Sequence, residues 1–583
     1  ITSSNFSSLA TTTTQGVRFT GNLTAGTGIT LKGASYSAYQ GVYSDVGKSL
    51  TTAQGDIVIS GISNSSSGND QTNGSLTATT GNISLTGYTA AGGAAVNLNN
   101  AQVTAPQGAI AASGTVNGNG NSAFYSSGSI SSALGITVTG ETNSTSTNSA
   151  VDLTTTSLAV TGTGSSINLT ARRSTAGGLA GLNTTGTISG ANGSNLTFVS
   201  NNKINQTGAI TLAANTSGTA SNVTYDTTYG TKDSTITPGA LTVTAGSKSA
   251  INYTQKTAGA AISAAAINVP GSILLDNTWG AASGGTPTSG FITSSNYSTL
   301  STSSANGVTF TGALTAGTGI TLKGASYSAN HGVYSVGQNL TTAQGDIVIN
   351  GMSNTGSGYW NVSGGTLTAT TGNIDITGYI GAGNAAVNLN TNLISAPQGT
   401  ITANGILNGN GNFAVWSSGS ISSRSGISIT GASISNSTNN VVELTATNLA
   451  VTGTGSSINL TARRSTAGGL AGLNTTGTIS GANGSNLTFV SNNKINQTGA
   501  ITLAANTSGT ASNVTYDTTY GTKDSTITPG ALTVTAGSKS AINYTQKTAG
   551  AAISAAAINV PGSILLDNTW GAASGSPASG FIT

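Results

Sequence analysis

The sequence predicts an all-β fold, a parallel β-helix (β-solenoid) with about 11 turns in each unit of 291 residues. Three observations predict it. A long unit occurs twice in tandem, a shorter sub-repeat of about 26 residues recurs inside each unit, and apolar residues alternate with polar ones inside each sub-repeat.

The long repeat divides the chain into two predicted domains, residues 1–291 and residues 292–583. Residues 158–284 recur without change as residues 449–575, and the preceding stretches match more loosely. The chain ends on the tripeptide FIT, which also opens the second copy at residues 291–293. We therefore expect this segment to belong to a longer tandem array.

The sub-repeat has a constant order: an apolar residue, Thr or Ser, a few small residues, Gly, and then apolar-x-apolar. Alternation of this kind is typical of a strand with one buried face, and Gly is expected where the strand ends. One sub-repeat cannot bury its own apolar face, so neighbouring sub-repeats must stack. A string of β-sandwich domains, the alternative, has no reason to repeat one phrase at a nearly constant step. The predicted sub-repeats start at Leu23, Leu50, Leu76, Val103, Ile130, Leu158, Ile188, Ile210, Leu241, Ile267 and Ile292.

The apolar-x-apolar phrases also predict which side chains form the core. In each phrase the two apolar side chains should point inward and stack on those of the next turn. The first three phrases predict inward positions at Ile29, Leu31, Ile57, Ile59, Ile83 and Leu85.

The composition excludes several classes of protein. Only 5% of the residues are charged, where about 25% is usual, and strong helix formers other than Ala are scarce. A helical bundle is therefore excluded, and the abundance of Thr, Val and Ile in a nearly neutral chain favours strands over disorder. A net charge of +3 over 583 residues argues against nucleic acid as a partner.

Other absences bear on sites and on membranes. The chain has no Cys, which excludes disulfides and a Cys-based zinc site. It also has no apolar stretch of 18 residues, so no membrane-spanning helix is expected.

Several phrases resemble the repeats of filamentous-haemagglutinin-like large exoproteins of Gram-negative bacteria. They are GDIVISG at residues 55–61, LTATTGNISLTG at residues 76–87 and LTATNL at residues 444–449. The resemblance implies a right-handed parallel β-helix that is exported by two-partner secretion to the bacterial outer surface. It also implies the function of an adhesin.

The sequence offers little for catalysis. His331 is the single His, and Gln40 stands at the matching position of the first copy, so a triad could exist in one copy at most. We expect His331 to be a surface residue. The densest charged set, Asp226, Lys232 and Asp233, is expected to be a salt-bridged loop, since the calcium-binding repeat with its regular Asp is absent. We therefore expect no catalytic residues, no metal and no cofactor.

Aromatic side chains are few, so exposed ones are candidate contacts. Such rings can stack on sugars or anchor a protein interface, although they could also form an apolar pad that covers the solenoid. The basic pairs Arg172–Arg173 and Arg463–Arg464 are expected at exposed corners, with a phosphate or acidic-glycan contact as the alternative. The candidate surface contacts are Tyr36, Tyr39, Tyr43, Tyr327, His331, Tyr334, Trp360 and Trp416.

These observations lead to an expected function. We expect an extracellular, filamentous adhesin that presents contact surfaces to other cells, glycans or matrix, with lateral self-association into fibres as a further partner. A purely structural stalk without its own ligand is the alternative. A polysaccharide-acting β-helix enzyme is a more distant one, because the acidic residues are spread along the chain and do not gather on one face.

Overall fold

The structure is a computed structural model, and its residues fall into two compact units. The first unit comprises most of the chain up to residue 260, and the second comprises most of the chain after it. The residues that the structure describes are 15–143, 148–174, 180–213, 220–226, 236–237, 241–243, 251–256, 262–264, 266–277, 306–326, 330–434, 439–465, 472–504, 511–518, 527–528, 532–534, 542–547 and 563–567.

The first unit is built of turns that each contain three strands. Strands β1–β9 are Val17–Phe19, Leu23–Ala25, Ile29–Ser35, Val42–Ser44, Ser49–Thr52, Ile57–Ser63, Asn69–Asp70, Ser75–Ala78 and Ile83–Thr89. Strands β10–β18 are Val96–Leu98, Gln102–Ala105, Ala109–Val116, Phe124–Ser126, Ser129–Ser132, Gly135–Thr142, Val151–Leu153, Ser157–Val160 and Ser166–Arg173. Strands β19–β27 are Ala180–Thr184, Ile188–Gly190, Asn195–Ser200, Lys203–Gln206, Ile210–Leu212, Ser221–Asp226, Ile236–Thr237, Leu241–Val243 and Ile251–Lys256.

The second unit repeats this organisation. Strands β28–β37 are Ile262–Ala264, Ile267–Val269, Ser272–Asp276, Val308–Phe310, Leu314–Ala316, Gly319–Ser326, Val333–Val336, Leu340–Thr342, Ile347–Ser353 and Tyr359–Val362. Strands β38–β47 are Thr366–Ala369, Ile374–Ile380, Gly383–Leu389, Leu393–Ala396, Thr400–Leu407, Gly411–Ser417, Ser420–Ser423, Gly426–Ser433, Val442–Leu444 and Asn448–Val451. Strands β48–β58 are Ser457–Arg464, Leu473–Thr475, Ile479–Gly481, Asn486–Ser491, Ile495–Gln497, Ile501–Leu503, Ser512–Asp517, Ile527–Thr528, Leu532–Val534, Ile542–Lys547 and Ile564–Asp567.

Every third strand belongs to the same parallel sheet, so each unit has three long sheets. We call sheet A the one that begins with β1 in the first unit and with β28 in the second. Sheet B begins with β2 and β29, and sheet C holds the longer strands that begin with β3 and β30. Sheets A and B have nine strands each in the first unit and ten each in the second. The predicted all-β parallel solenoid is therefore confirmed, and the described residues contain no helix.

The predicted sub-repeats correspond to the turns. In sheet B of the first unit, the starting residues from Leu23 to Leu241 are paired one with the next, without a shift of register. In the second unit, β29 lies directly beside β32, and the N–H of Ile267 donates to the carbonyl of Ala313 at 3.0 Å. The predicted start at Ile292 lies outside the described residues.

The core lies between the three sheets and is filled by the inward side chains of their strands. Ile57 pairs with Ile29 on one side and with Ile83 on the other, and all three are buried. Ile59 and Leu85, on the neighbouring inward column, are also buried. The prediction of inward positions is confirmed for these residues. Leu31 is buried to a smaller degree than the others. It lies in the first sheet C strand of the described chain and is only half-buried.

Glycine recurs inside the sheet C strands for a reason that the sequence did not reveal. A Cβ on Gly61 would lie 1.8 Å from the carbonyl oxygen of Gly68, and one on Gly87 would lie 1.9 Å from the carbonyl oxygen of Ala95. At this column the sheet C strands lie against the backbone just before the sheet A strands. Gly is therefore required here by close backbone approach, in addition to the turns expected at strand ends.

Candidate functional site

The middle residue of each short strand in sheet A points away from the core. In β13, Phe124 and Ser126 are fully buried whereas Tyr125 between them is half-buried. Successive middle residues are register partners, so they form a continuous column on the surface, spaced by about 4.8 Å. We call it the outward column. In the first unit it contains Arg18, Tyr43, Asp70, Asn97, Tyr125, Asp152, Asn183 and Asn205.

The second unit has an outward column with the same plan. Aromatic, amide and acidic residues again succeed one another, and Asn388 is fully buried between the strands that carry Trp360 and Trp416. The members are Thr309, Tyr334, Trp360, Asn388, Trp416, Glu443, Asn474, Asn496 and Thr528.

Amide side chains of the column hold its carboxylates. Asp70 accepts a hydrogen bond from Asn97 Nδ2 at 3.2 Å, and Asp152 accepts one from Asn183 Nδ2 at 2.8 Å. The Asn183 amide in turn accepts one from Asn205 at 2.7 Å. Burial raises the pKa of Asp70, an effect that its hydrogen bonds oppose. Hydrogen bonds thus join Asp70 to Asn97, and Asp152 to Asn183 and Asn205, along the column.

A cleft of about 440 Å³ opens beside this column in the first unit. Its wall along sheet A is formed by Asn97, Tyr125 and Asp152. The opposite side is formed by residues of the segments that lead into the sheet A strands, among them Asn121 and Asn148, whose side chains are bonded to each other at 3.0 Å. The lining is therefore one aromatic ring surrounded by amides, hydroxyls and one carboxylate.

The second unit has a different arrangement at the matching place. Phe413 stands where the first unit has Ser122, a lining residue of the cleft. Its ring stacks on Trp416 with a centroid distance of 6.1 Å and an interplanar angle of 20°. The apolar ring of Phe413 thus covers the aromatic residue that corresponds to Tyr125.

Three of the predicted contact residues form one aromatic cluster. The His331 ring stacks on Tyr334 at 5.1 Å and meets Trp360 edge-on at 4.5 Å, and the Tyr334 and Trp360 rings are 6.0 Å apart. His331 Nδ1 accepts a hydrogen bond from the backbone N–H of Ser357 at 2.9 Å. Burial lowers the pKa of His331 to about 4. The expectation of a surface histidine is therefore wrong, because this side chain is a half-buried, neutral part of the cluster.

The other predicted contacts lie apart from this cluster. Tyr36 and Tyr43 are half-buried in the first unit, and Tyr39 is 43% exposed. Trp416 is half-buried two turns beyond Trp360. Tyr327 lies outside the described residues. Among the described candidates, the structure therefore brings His331, Tyr334 and Trp360 together.

We expected both arginines of each basic pair to lie at exposed corners, and the structure differs. Arg172 is exposed, but Arg173 is only 3% exposed, and its guanidinium donates to the backbone carbonyl of Asn148. Asn201 completes this arrangement through two bonds of 2.8 Å to the Arg173 backbone. The second unit repeats it with Arg464 and the carbonyl of Asn439 at 2.5 Å. The second Arg of each pair therefore fixes a segment beside the outward column.

Residues suited to catalysis or metal binding are not gathered in the described part of the chain. No group of three or more His, Cys, Asp or Glu side chains there could hold a metal ion. Lys232 and Asp233, from the predicted charged loop, fall outside the described ranges. Among the described residues, no helix is long and apolar enough to cross a membrane.

Sequence reasoning missed the polar members of the cleft. Asn97, Asp152 and Asn148 look like ordinary polar residues in a chain rich in Asn and Ser. A signal was nevertheless present. The two units match at an offset of 291, and that offset pairs Tyr125 with Trp416 and Asp152 with Glu443, so both keep an aromatic ring and an acid on successive turns.

The arrangement can bind a ligand by hydrogen bonds and ring stacking, and it lacks the clustered acids and bases that bond cleavage needs. Comparisons of the chain with protein-family models, with curated proteins and with solved structures found no match.

Proposed function

We propose that this chain is the solenoid part of an extracellular adhesin, similar to the filamentous-haemagglutinin-like exoproteins of Gram-negative bacteria. One observation carries the proposal. The outward column of sheet A places aromatic, amide and acidic side chains at matching turns of both units, on a chain of which only 5% is charged. Such a column is a natural contact surface, because aromatic rings provide rigid contact area and amides provide hydrogen bonds.

The solenoid supports this function physically. Each turn contacts only its neighbours, so turns can be added without a new core. The inward positions must remain apolar, whereas the outward positions are free to vary. The units illustrate this freedom, because Trp360 occupies the place of Asp70 in the column while buried Ile347 and Ile57 keep the matching core position. Other cells, glycans or matrix are the proposed partners, and the outer surface of the bacterium is the proposed location.

An attachment assay tests the proposal. The full chain is coupled to beads, and the beads are offered to host cells and to matrix-coated surfaces. Replacement of Tyr334 and Trp360 by Ala should leave the circular dichroism spectrum unchanged and reduce bead attachment. Attachment equal to that of uncoated beads, for the unaltered chain, would contradict the adhesin.

A stalk without its own ligand is the second candidate, favoured by the unchanged recurrence of residues 158–284 as residues 449–575. Removal of residues 367–393 deletes one turn, because Leu367 and Ile394 are register partners and the chain rejoins in phase. In a bacterium that displays the whole protein, a stalk should lose little attachment from one missing turn. Removal of the two turns that hold Tyr334 and Trp360 should abolish attachment by an adhesin.

A further inference from the structure

The cleft beside Tyr125 differs from its counterpart in the second unit in ways that point to a ligand. Its volume of about 440 Å³ lies within the range of about 300–1,000 Å³ that small-ligand sites occupy. Tyr125 is half-buried there, so part of its ring is accessible from the cleft. None of the lining residues is positively charged, and Asp152 is the only acid among them. A phosphate, sulfate or carboxylate ligand would therefore meet no cation.

Several polar atoms in the cleft lack a protein partner within the described residues. Thr154 and Asn183 both donate to Oδ1 of Asp152, at 2.6 and 2.8 Å, which leaves Oδ2 available. Asn97 uses Nδ2 for Asp70, so its Oδ1 can still accept a hydrogen bond. Asn121 accepts through Oδ1, so its Nδ2 can still donate. The Tyr125 hydroxyl can do both.

This set of atoms matches a ligand that carries many hydroxyl groups. A sugar hydroxyl donates one hydrogen bond and accepts others, so it needs acceptors such as Asp152 Oδ2 beside donors such as Asn121 Nδ2. The C–H face of a pyranose ring is apolar enough to lie on the Tyr125 ring. No lining group compensates a negative charge on the ligand. The chemistry therefore selects a neutral sugar.

The polar groups are also held in place before any ligand arrives. Asn148 is fixed from behind by the guanidinium of buried Arg173, and its Nδ2 holds the Asn121 side chain at 3.0 Å. Asp152 is fixed by Thr154 and Asn183. Pre-organisation of this kind reduces the entropy that binding costs.

The second unit has different side chains at the place of the cleft. Phe413 replaces Ser122 and stacks on Trp416, so a second ring occupies part of the aromatic platform. Glu443, at the place of Asp152, has both oxygens bonded: Oε1 accepts from Thr445 and Asn474, and Oε2 accepts from Asn440. The carboxylate that keeps one oxygen available in the first unit is thus fully bonded in the second.

We infer that the first unit binds a neutral glycan in the cleft formed by Asn97, Asn121, Tyr125 and Asp152, and that the second unit has lost this site through Phe413. The inference rests on the proposed adhesin function and deepens it by naming the class of ligand. It makes the two copies unequal, with one sugar site among the residues that the structure describes.

A glycan microarray tests the inference with the full chain. The array carries neutral oligosaccharides that end in hexose or N-acetylhexosamine, together with sialylated forms of the same chains. The unaltered chain should bind neutral members in preference to sialylated ones. Ser122→Phe, which copies the residue of the second unit, should weaken binding by about tenfold or more, since it covers the platform.

A matched pair of variants guards against a folding artefact. Asn121→Ala removes an exposed amide from the cleft, and Asn412→Ala removes the corresponding exposed amide from the second unit. Both should keep the parent circular dichroism spectrum and melting temperature, and only Asn121→Ala should weaken binding. Equal losses in the two variants, a preference for sialylated glycans, or no binding of any neutral glycan by the unaltered chain would each overturn the inference. If the beads still attach to cells after such a result, the adhesin proposal holds, but the contact surface is a different one.

Discussion

The ring nitrogen Nδ1 of His331 accepts a hydrogen bond of 2.9 Å from the backbone N–H of Ser357, one turn further along the solenoid. An imidazole nitrogen can accept only when it carries no proton, so the bond requires a neutral ring with its proton on Nε2. Burial acts in the same direction and lowers the pKa of His331 to about 4. The single histidine of the chain thus joins two turns as a neutral group.

This bond makes stability depend on pH below neutrality. In the unfolded chain the pKa of His331 should be near its ordinary value of about 6.5, so the unfolded state binds more protons between pH 6.5 and about 4. The free energy of unfolding should therefore fall as the pH drops through this window, by an amount on the order of 1–3 kcal/mol, and should not depend on this group above pH 6.5. Urea unfolding followed by Trp fluorescence at pH 7 and at pH 4.5 measures it.

Carboxylates also titrate in this window, so a control variant is needed. His331→Gln introduces the residue that stands at the matching position of the first unit, Gln40. The difference between parent and variant isolates the contribution of His331. An identical loss of stability in both proteins would show that the histidine is not a neutral part of the folded state.

The inward column of sheet C should not tolerate charge. Ile57 is fully buried between Ile29 and Ile83, so Ile57→Asp should cost several kcal/mol or force the new carboxyl to be protonated. Val58→Asp is the matched control, because an outward position accepts an acid: Asp375 is the register partner of Val348 in the second unit. Thermal melting followed by circular dichroism should show a large shift for Ile57→Asp alone. Equal shifts would mean that the inward and outward faces have been exchanged.

The glycine column should be intolerant of even a methyl group. Gly61→Ala would place a Cβ 1.8 Å from the Gly68 carbonyl oxygen, so sheets A and C would have to separate locally. We expect destabilisation of about 2 kcal/mol or more, in the range of other overpacking substitutions. Gly26→Ala provides the comparison, since nothing lies within 4 Å of its Cβ position, and its stability should hardly change. If the two variants unfold at the same denaturant concentration, the close approach of Gly61 to the Gly68 carbonyl is contradicted.

The two arginines of the first basic pair should differ in their effect on stability. Arg173→Ala removes a buried side chain together with its hydrogen bond to the Asn148 carbonyl, at a cost of about 2–3 kcal/mol. Arg172→Ala affects an exposed neighbour and should stay within about 0.5 kcal/mol of the parent. Hydrogen exchange at Asn148 should also accelerate only in the first variant. Similar effects of the two changes would contradict the buried position of Arg173.

The turns of the solenoid were predictable from the sequence because they depend on neighbours along the chain and on a pattern repeated in every turn. Leu23, Leu50 and Leu76 begin successive sub-repeats, and they are register partners in sheet B. The alternation around Ile57 likewise identified the buried face. The tertiary function of Gly61 was not predictable, since the residue that it must avoid, Gly68, lies outside its own strand, just before strand β7.

The contact surface was predictable only in part. Aromatic residues stand out in a chain where they make up 5% of the residues, so Tyr334, Trp360 and Trp416 could be selected as candidates. Their neighbours could not, because polar Asn and Asp residues are common everywhere in the sequence. The burial of His331 was also missed, since it results from rings contributed by two different turns.

The sequence by itself determined the fold class, the phase of the turns and the identity of the inward columns, because apolar residues recur at alternate positions of the repeated strand phrase and leave one face to be buried. Only the tertiary structure decided which outward side chains meet. Asp152 and Asn183 are 31 residues apart along the chain and 2.8 Å apart in space. The length of each intervening loop sets that contact, and a local sequence pattern does not predict the contact. The same holds for Phe413 and Trp416, whose rings stack in the second unit at the place where the first unit has its cleft.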